Sequence, residues 1–322
     1  MAANLGELRA FTHDHADGII TDEVFHKHVG LMALKSTQRT YPGGTFVRTG
    51  LEISKDEQGQ TGGAIEARGG FNMTEIEGHD AAQYRPRYYV QTIPLWDSDV
   101  ADNGSSETQY WNFVARRTAL YMKFMRERFS RHLYSKGGGT LQINGLGDIF
   151  ENSGEFGMID RSDYDWWRSY IYRSETPRAA TTFQLATLLS AVSDGEIEPD
   201  ILLTSTQMYD RYEALIDPKE RFPNTMLANA GFRNITYRGI PIVKDKNIDS
   251  DGDTRHKVYA LNFDHIFWTS HEKFNMKKRD WMLMPKNLGQ FMVVIWFGNI
   301  MPNSLRRQGL LGDLNPALAA AA

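Results

Sequence analysis

Cysteine is absent from this chain of 322 residues, and its absence removes several kinds of chemistry at once. Without thiols there is no disulfide, no thiolate nucleophile and no cysteine-ligated zinc, and this composition fits a reducing cytosol. Long hydrophobic runs are absent too. The longest, at 291–297, has seven residues, whereas a membrane-spanning helix needs about 20. We therefore expect a protein that is soluble and cytoplasmic when made, with no membrane partner.

A strong charge of one sign is also lacking. The formal net charge is −4, the isoelectric point is near 6.2, and no tail is rich in lysine or arginine. Sequence-specific binding of DNA is therefore not expected.

The short motifs that carry catalysis are missing as well. The sequence has no Gly-x-Ser-x-Gly elbow, no His-Glu-x-x-His and no Gly-Lys-Ser/Thr phosphate loop. The glycine clusters at 137–139 and 145–147 fit a helix stop and a turn. Glu75 and Glu77 could do acid–base work, but solvated charges or contacts between subunits are favoured in so glycine-rich a segment. We predict no catalytic residue and no cofactor.

Two groups of residues were weighed as metal ligands. Four of the nine histidines are crowded into the first 28 residues, at positions 13, 15, 26 and 28. His26 and His28 fall on a predicted helix, where residues two apart point away from each other, so a solvated arm is favoured. Residues 247–253 resemble half of a calcium loop, but its twelfth position is Val258 rather than a glutamate. A β-turn is favoured there, and no metal is predicted.

The first hundred residues predict an arm and a hairpin. Thr21 reads as the N-cap of a short amphipathic helix that reaches Leu34. Alternating apolar and polar residues from Thr45 indicate a half-buried strand, and a second strand is predicted over 87–96. Glycines crowd the stretch between them, at 59, 62, 63, 69, 70 and 78. We predict a long hairpin whose tip cannot bury itself and docks on another chain.

A helix over 106–135 is the strongest single prediction. Ser106 and Gln109 form a capping-box pattern, and the helix would be about 45 Å long. Its apolar side is predicted from Phe113, Val114, Leu120, Tyr121, Phe124, Met125 and Phe129. Its polar face is predicted from Arg116, Lys123, Glu127 and Ser130. A helix of this length usually serves as a spine.

An α/β segment follows a connector in which residues 166–167 are placed in a short helix. Thr181 and Gln184 form another capping box, and Gly195 is predicted to end that helix. Strands are predicted over 201–205, 234–237, 240–243 and 258–261, with a helix over 206–216. The run at 291–297 is apolar on both faces and is predicted to be a central strand.

Several stretches in the second half resemble the major capsid proteins of tailed bacteriophages, which have the Hong Kong 97-like fold. They are residues 199–214 (PDILLTSTQMYDRYEA), 229–232 (NAGF), 238–243 (RGIPIV), 259–262 (YALN) and 303–307 (NSLRR). The connector at 157–167 is also similar, and the order of elements resembles that family over roughly residues 20–312.

The resemblance implies an α+β fold in five parts. They are an N-terminal arm (1–40), an extended hairpin loop (41–97), a peripheral domain with a spine helix (98–179 and 286–316, spine 106–135), an α/β axial domain (180–285) and a disordered tail (317–322).

The resemblance also implies a structural role rather than an enzymatic one. The chain would assemble into hexamers and pentamers of an icosahedral head in the host cytoplasm and remain in the virion. Double-stranded DNA would be enclosed and contacted non-specifically. Scaffolding, portal and decoration proteins are the implied partners, and the family has no cofactor. Lys55, the only lysine between Lys35 and Lys123, is not matched to a cross-linking position.

Contacts between subunits are predicted from opposite charges. The hairpin would contribute Glu66, Phe71, Met73, Glu75, Ile76 and Glu77. The neighbour's spine would contribute Arg116, Arg117, Arg126, Arg128 and Arg131, although a nucleic-acid patch on these arginines stays open.

Two other functions stay open on the sequence alone. One is the shell of an encapsulin nanocompartment, which shares the fold and encloses enzymes. The other is a cytosolic α/β enzyme without a recognisable motif.

Overall fold

The computed structural model describes residues 28–52, 79–103, 107–137, 141–195, 197–216, 234–249 and 255–318. Its helices are α1 (Val29–Ser36), α2 (Asp97–Asn103), α3 (Glu107–Tyr134), α4 (Leu146–Ile149), α5 (Thr182–Val192) and α6 (Thr206–Leu215), with 3₁₀ turns at Asp165–Trp167 and Lys246–Asp249. Its strands are β1 (Arg39–Tyr41), β2 (Val47–Glu52), β3 (His79–Tyr84), β4 (Arg87–Trp96), β5 (Glu155–Phe156), β6 (Ile159–Asp160), β7 (Tyr170–Tyr172), β8 (Arg178–Ala179), β9 (Ile201–Thr204), β10 (Asn234–Tyr237), β11 (Ile240–Lys244), β12 (His256–Leu261), β13 (Ile266–His271), β14 (Lys277–Lys278), β15 (Met282–Leu283), β16 (Gly289–Pro302) and β17 (Gly309–Asn315).

A six-stranded sheet is built around β16, which confirms the prediction of a central strand. β4 pairs along one edge of β16, while β13, β14 and β15 pair along the other, and β1 continues the sheet beyond β13. Met292, Val294 and Trp296 are buried, whereas the residues between them are only half-buried. Helix α3 packs against β4 on the buried side. The strand is thus apolar on both faces, but the described chain fully covers only one of them.

A seven-stranded sheet forms the second layer, in the order β10-β11-β9-β12-β17-β7, with β8 beside β17. Helices α5 and α6 share a second hydrophobic core with it. Thr181 and Gln184 form the predicted capping box, each side chain accepting from the other's backbone N–H at 3.3 Å. Helix α5 ends at Val192, just before Gly195. The predicted strands and helices of this region are confirmed within two residues.

The partner predicted for the hairpin strand is wrong. β2 pairs with β3 from Val47 opposite Tyr84 to Glu52 opposite His79. The strand predicted as its partner, β4, instead pairs with β16 over ten residues. The small and polar residues of β3 gave no clear alternation, and local alternation identifies a strand without specifying what it pairs with.

The arm helix also begins later than predicted. Helix α1 starts at Val29, and His28 is its N-cap with extended backbone angles. The prediction of one continuous helix from Thr21 to Leu34 is therefore wrong. Residues 1–27 lie outside the described part of the chain. The spine prediction is confirmed by α3, although Ser106 of its predicted capping box is not described. None of the described helices is long and apolar enough to span a membrane.

Sheet membership does not follow the predicted domain boundary at residue 285. β13, β14 and β15 precede that boundary but join the sheet around β16. β7 and β17 were assigned to the peripheral domain, yet they pair in the other sheet. The five-part division itself stays a prediction.

Candidate inter-subunit surface

The spine helix α3 is held by one apolar face. Met122, Met125, Phe129 and Leu133 are almost completely buried. The Phe129 ring meets the rings of Trp268 and Trp296 edge to face, with centroids 5.4 and 5.0 Å apart. Burying a phenylalanine stabilises a fold by about 2 kcal/mol, and aromatic contacts add to that. The long helix is therefore fastened to the sheet at its C-terminal half.

The outer side of α3 differs from the sequence prediction. Leu120 and Phe124, assigned to the buried side, are each 48 % exposed. They lie one turn apart, with exposed Arg116 and Lys123 on the same side. Ser130, assigned to the polar face, is fully buried. Both the sheet and α1 cover α3. Its buried residues therefore lie on a different side of the helix from the one predicted. Leu120 and Phe124 form an apolar ridge flanked by cations.

The five spine arginines have different environments. Arg116 and Arg131 are exposed, and Arg128 is half-buried. Arg117 forms an ion pair with Asp99 of α2. Arg126 is only 2 % exposed and lies inside the core, so it does not offer its charge to a neighbour in this conformation.

Arg128 lies near Tyr89 at the start of β4. Burial raises the pKa of Tyr89 to about 12, against the opposing effects of Arg128 and Arg87. Burial also lowers the pKa of His132, and the nearby charges of Arg131 and Arg128 lower it further. The Tyr89 hydroxyl lies 2.6 Å from Nδ1 of His132. The structure thus gathers positive charge around the N-terminal end of β4.

The six hairpin residues predicted to contact a neighbour all lie within 53–78, outside the described residues. The base of the hairpin is described and is fastened to the body. The Tyr84 hydroxyl donates to the carbonyl of Pro302 at 2.7 Å, and the Gln83 N–H donates to the carbonyl of Gly157 at 2.9 Å. Leu51 and Ala82 are buried beside them.

Gly157 allows the residues of β3 at the hairpin base to pack closely against the chain around it. Its φ is +65°, and a β-carbon there would lie 3.0 Å from Cβ of Ala82 and 3.3 Å from the Tyr84 ring.

We expect Gly157→Ala to lower the free energy of unfolding by about 1–3 kcal/mol, because it adds backbone strain and a clash. Chemical denaturation measures this. Gly154→Ala is a matched control, with φ +75° but no neighbour within 4 Å. Equal losses for both variants would show that the clash contributes nothing.

A buried carboxylate joins the arm helix, the spine and the second sheet. Oδ2 of Asp245 accepts a hydrogen bond from the Tyr134 hydroxyl at 2.8 Å, and the Gly30 N–H approaches it to 3.5 Å. Oδ1 accepts from the Asn247 N–H at 3.0 Å and lies 3.8 Å from Nδ1 of His28. We refer to Asp245 and these four residues as the Asp245 junction.

Further contacts tie the junction to α3. Ser130 Oγ lies 3.2 Å from Nδ1 of His28 and accepts from Nδ2 of Asn247 at 2.7 Å. Glu127 Oε1 lies 3.5 Å from Nε2 of His28. Burial by itself would raise the pKa of Asp245, but the hydrogen bonds that it accepts outweigh burial and hold that pKa below its usual value. Burial and Asp245 together raise the pKa of Tyr134.

Sequence analysis missed the Asp245 junction. Asp245 is a single acid between a strand and a turn, and it shares no motif with Tyr134 or Gly30, which lie 111 and 215 residues away in the sequence. For His28 the sequence favours a solvated arm over a metal site, whereas the structure places its Nδ1 3.8 Å from Oδ1 of Asp245. A lone carboxylate carries no local signal for partners so distant.

A cavity of about 460 Å³ lies beside β9. Asp200, Glu198, Asp264 and Arg238 line it. Burial raises the pKa of Asp200, and the charge of Asp264 raises it further. No serine, threonine, lysine, histidine or tyrosine is among its lining residues. Within the described ranges, no three His, Cys, Asp or Glu residues are placed to hold a metal ion.

Solved structures of shell proteins match this chain over most of its length. The capsid of cyanophage A-1(L) matches with a TM-score of 0.62 and 15 % identity, covering 89 % of this chain and 93 % of that one. The SrpI encapsulin of Synechococcus elongatus matches with a TM-score of 0.57 and 13 % identity, covering 88 % and 87 %. A structure from Mycobacterium phage Bobi matches with a TM-score of 0.52 and 11 % identity, covering 88 % and 89 %.

No protein-family model matches the sequence, and no curated protein matches it. The architecture is therefore identified from the comparison with solved structures alone. A long spine helix on a sheet, a hairpin base formed by β2 and β3, and a second α/β layer confirm the predicted fold class. The chain has the Hong Kong 97-like fold found in phage capsid proteins.

Proposed function

We propose that this protein is a major capsid protein, which assembles into hexamers and pentamers of an icosahedral phage head around double-stranded DNA. The observation that carries the proposal is the fold, matched to phage capsids over almost nine-tenths of the chain. The absence of catalytic motifs from the sequence agrees with a structural role. We place the protein in the virion, after assembly in the host cytoplasm.

Features of the described chain support self-assembly. The ridge formed by Leu120 and Phe124 leaves apolar surface in water on a helix flanked by arginines. The β2–β3 ladder is fastened to the body at Val47 opposite Tyr84, and its other end, Glu52 opposite His79, leads into residues 53–78. Surfaces of this kind are stabilised by contact with another subunit. Scaffolding, portal and decoration proteins are proposed as further partners.

Electron microscopy of the purified protein tests the function. We expect capsomers, tubes or closed shells, with double-stranded DNA inside particles taken from infected cells. Analytical ultracentrifugation over a range of concentrations, with and without the scaffolding protein, supplies the matching measurement. A single monomer peak under every condition would overturn the proposal.

An encapsulin-type shell is the second candidate, because the SrpI encapsulin matches over 88 % of this chain. The contents of the particles separate the two functions. A head protein encloses DNA, whereas a nanocompartment encloses a cargo protein. Extraction of intact particles after nuclease treatment, followed by analysis for nucleic acid and for protein, decides between them.

We also propose that residues 53–78 of one subunit dock against the spine of its neighbour. Glu66, Glu75 and Glu77 would face the arginines that remain at the surface, which are Arg116, Arg117, Arg128 and Arg131. Phe71, Met73 and Ile76 would bury against the ridge formed by Leu120 and Phe124. Each exposed charge pair contributes only ~0.5 kcal/mol, but a closed shell repeats it hundreds of times.

We expect the shell to be held without covalent links. The sequence has no cysteine, and Lys55 matches no cross-linking position. Mature particles boiled in detergent should give one band near 36.7 kDa on a denaturing gel. A ladder of heavier bands that resists boiling would show that a lysine cross-link exists.

A further inference from the structure

The connector loop, defined as residues 155–165, is held in one shape at the surface of the subunit. Arg161 is only 2 % exposed, and its Nη2 donates to the carbonyl of Asp148 at 2.5 Å. Nε1 of Trp167 donates to the carbonyl of Phe156 at 2.8 Å. A loop that is already ordered loses little conformational entropy when it binds a partner.

Apolar side chains of the connector loop are left in water. Met158 is 50 % exposed, and its φ of +65° is uncommon for a residue other than glycine. Tyr164 is 45 % exposed, and the centroid of its ring lies 5.4 Å from that of half-buried Trp166. Backbone strain and exposed apolar side chains both concentrate at surfaces that contact another molecule.

The connector loop is also acidic. It holds four acidic residues and one basic residue, a net charge of −3. The basic residue, Arg161, is buried, whereas Glu155 and Asp163 are exposed. Neither of these two acids forms an ion pair with a described residue. The loop therefore presents negative charge beside its apolar side chains.

The sheet around β16 has an apolar face that the described chain leaves open. Ile295 and Phe297 point to the side opposite buried Val294 and are only half-buried. Their partners in β4 are Val90 and Tyr88, which are 47 and 62 % exposed. These four apolar side chains form the open face of the sheet.

Cations border the open face along β14. Lys277 pairs with Ile295 and is exposed, so its side chain lies on the same face. The Arg279 N–H donates to the carbonyl of Val293 at 2.8 Å, which continues this register and places exposed Arg279 on that face as well. Residues 271–279 hold four basic residues and one acidic residue, a net charge of +3.

The connector loop and the open face are complementary. Each joins exposed apolar side chains to charge of one sign, and their net charges of −3 and +3 are opposite. The loop of the same chain does not neutralise the cations, because Lys277 and Arg279 form no ion pair with a described residue. Opposite charges on two separate surfaces favour contact between copies, and each subunit can then engage two neighbours.

We propose that the connector loop of one copy of this chain docks on the open face of the β16 sheet of a second copy. The acids of the loop lie against Lys277 and Arg279. Met158 and Tyr164 are buried on the apolar side chains of the face. This inference rests on the proposed function and adds one interface to it, because a shell needs contacts that pass from each subunit to the next.

Charge reversal tests the ionic part of the contact. Glu155→Lys with Asp163→Lys gives one double variant, and Lys277→Glu with Arg279→Glu gives the other. All four positions are exposed, so circular dichroism and thermal unfolding should match those of the wild type. The concentration needed for assembly, measured by light scattering, should rise about tenfold or more in each, because like charges then face each other.

Combining the two double variants measures whether the four positions meet. The quadruple variant restores opposite charges across the contact and should assemble near the wild-type concentration. A matched control combines Lys277→Glu and Arg279→Glu with Asp210→Lys and Glu198→Lys, which restores the net charge at exposed positions elsewhere. Recovery in the quadruple variant but not in the control supports the contact. Recovery in both, or in neither, overturns it.

The same series separates this inference from the proposed function. If the wild type sediments as a monomer under every condition, the shell function fails and the contact fails with it. If wild-type particles form and both double variants assemble as readily, the shell function stands and this contact alone is wrong.

Photo-cross-linking identifies what covers the open face. p-Benzoylphenylalanine replaces Tyr164 in particles assembled from a mixture of isotope-labelled and unlabelled subunits. Mass spectrometry should find it linked to β4, β14 or β16 of another copy. A link to residues 53–78, a link to nucleic acid, or no link at all overturns the proposal.

Discussion

Replacing residues 59–78 with a two-residue Asn-Gly turn is expected to abolish particle formation, or to leave particles that break at low temperature. The subunit itself should stay folded, because the described base of the hairpin keeps its contacts with Pro302 and Gly157. The flanking strands can still pair, because residues 53–58 and the Asn-Gly pair leave a loop of eight residues between Glu52 and His79. What is lost is every contact that this segment makes with a neighbour.

Electron microscopy and heating of the particles measure the effect, and circular dichroism checks the subunit. A second variant replaces the same segment with a glycine–serine linker of equal length. It keeps the chain connection and removes the side chains. If either variant forms normal particles that resist heat like the wild type, the segment is not needed for the shell, and its proposed docking is wrong.

Asp245→Ala is expected to produce a large loss of stability. The substitution leaves Tyr134 Oη and the Asn247 N–H without their acceptor in a buried site. Each unpaired buried donor costs about 1–3 kcal/mol, so the free energy of unfolding should fall by about 3 kcal/mol or more. Chemical denaturation measures it. Asp210→Ala, at an exposed position on α6, should change it by less than about 0.5 kcal/mol.

The arm should be released first when the Asp245 junction is broken. Gly30→Ala tests this without touching the carboxylate, because a β-carbon at Gly30 would lie 2.5 Å from the Tyr134 hydroxyl. We expect limited proteolysis near Val29 to become faster in Gly30→Ala while the rest of the subunit resists. Unchanged cleavage in both Gly30→Ala and Asp245→Ala would show that the junction does not hold the arm.

Acid should weaken the same junction. The pKa of Asp245 is lower in the folded chain than in the unfolded one, so its contribution to stability is present above the unfolded pKa. That contribution is lost as the pH falls below about 4, through the folded pKa. Stability measured from pH 6 down to pH 3 should fall less steeply in Asp245→Asn than in the wild type. Identical slopes would contradict this assignment.

The amino-acid sequence by itself determined the kinds of elements and most of their limits. The spine, the Thr181 capping box and the central strand β16 were all predictable, because helix periodicity, capping and long apolar runs are local signals. The sequence also excluded disulfides and thiolate chemistry, since cysteine is missing, and it contains none of the catalytic motifs that were sought.

Only the tertiary structure decided which elements meet. It paired β2 with β3 and β4 with β16, and it turned Leu120 and Phe124 of the spine to the surface. It also brought Asp245 to Gly30, 215 residues away. The physical reason is that alternation and capping are set within a few residues, whereas pairing and burial depend on packing between distant segments. A pattern can show that a strand has an apolar face, but only the packed chain shows what covers it.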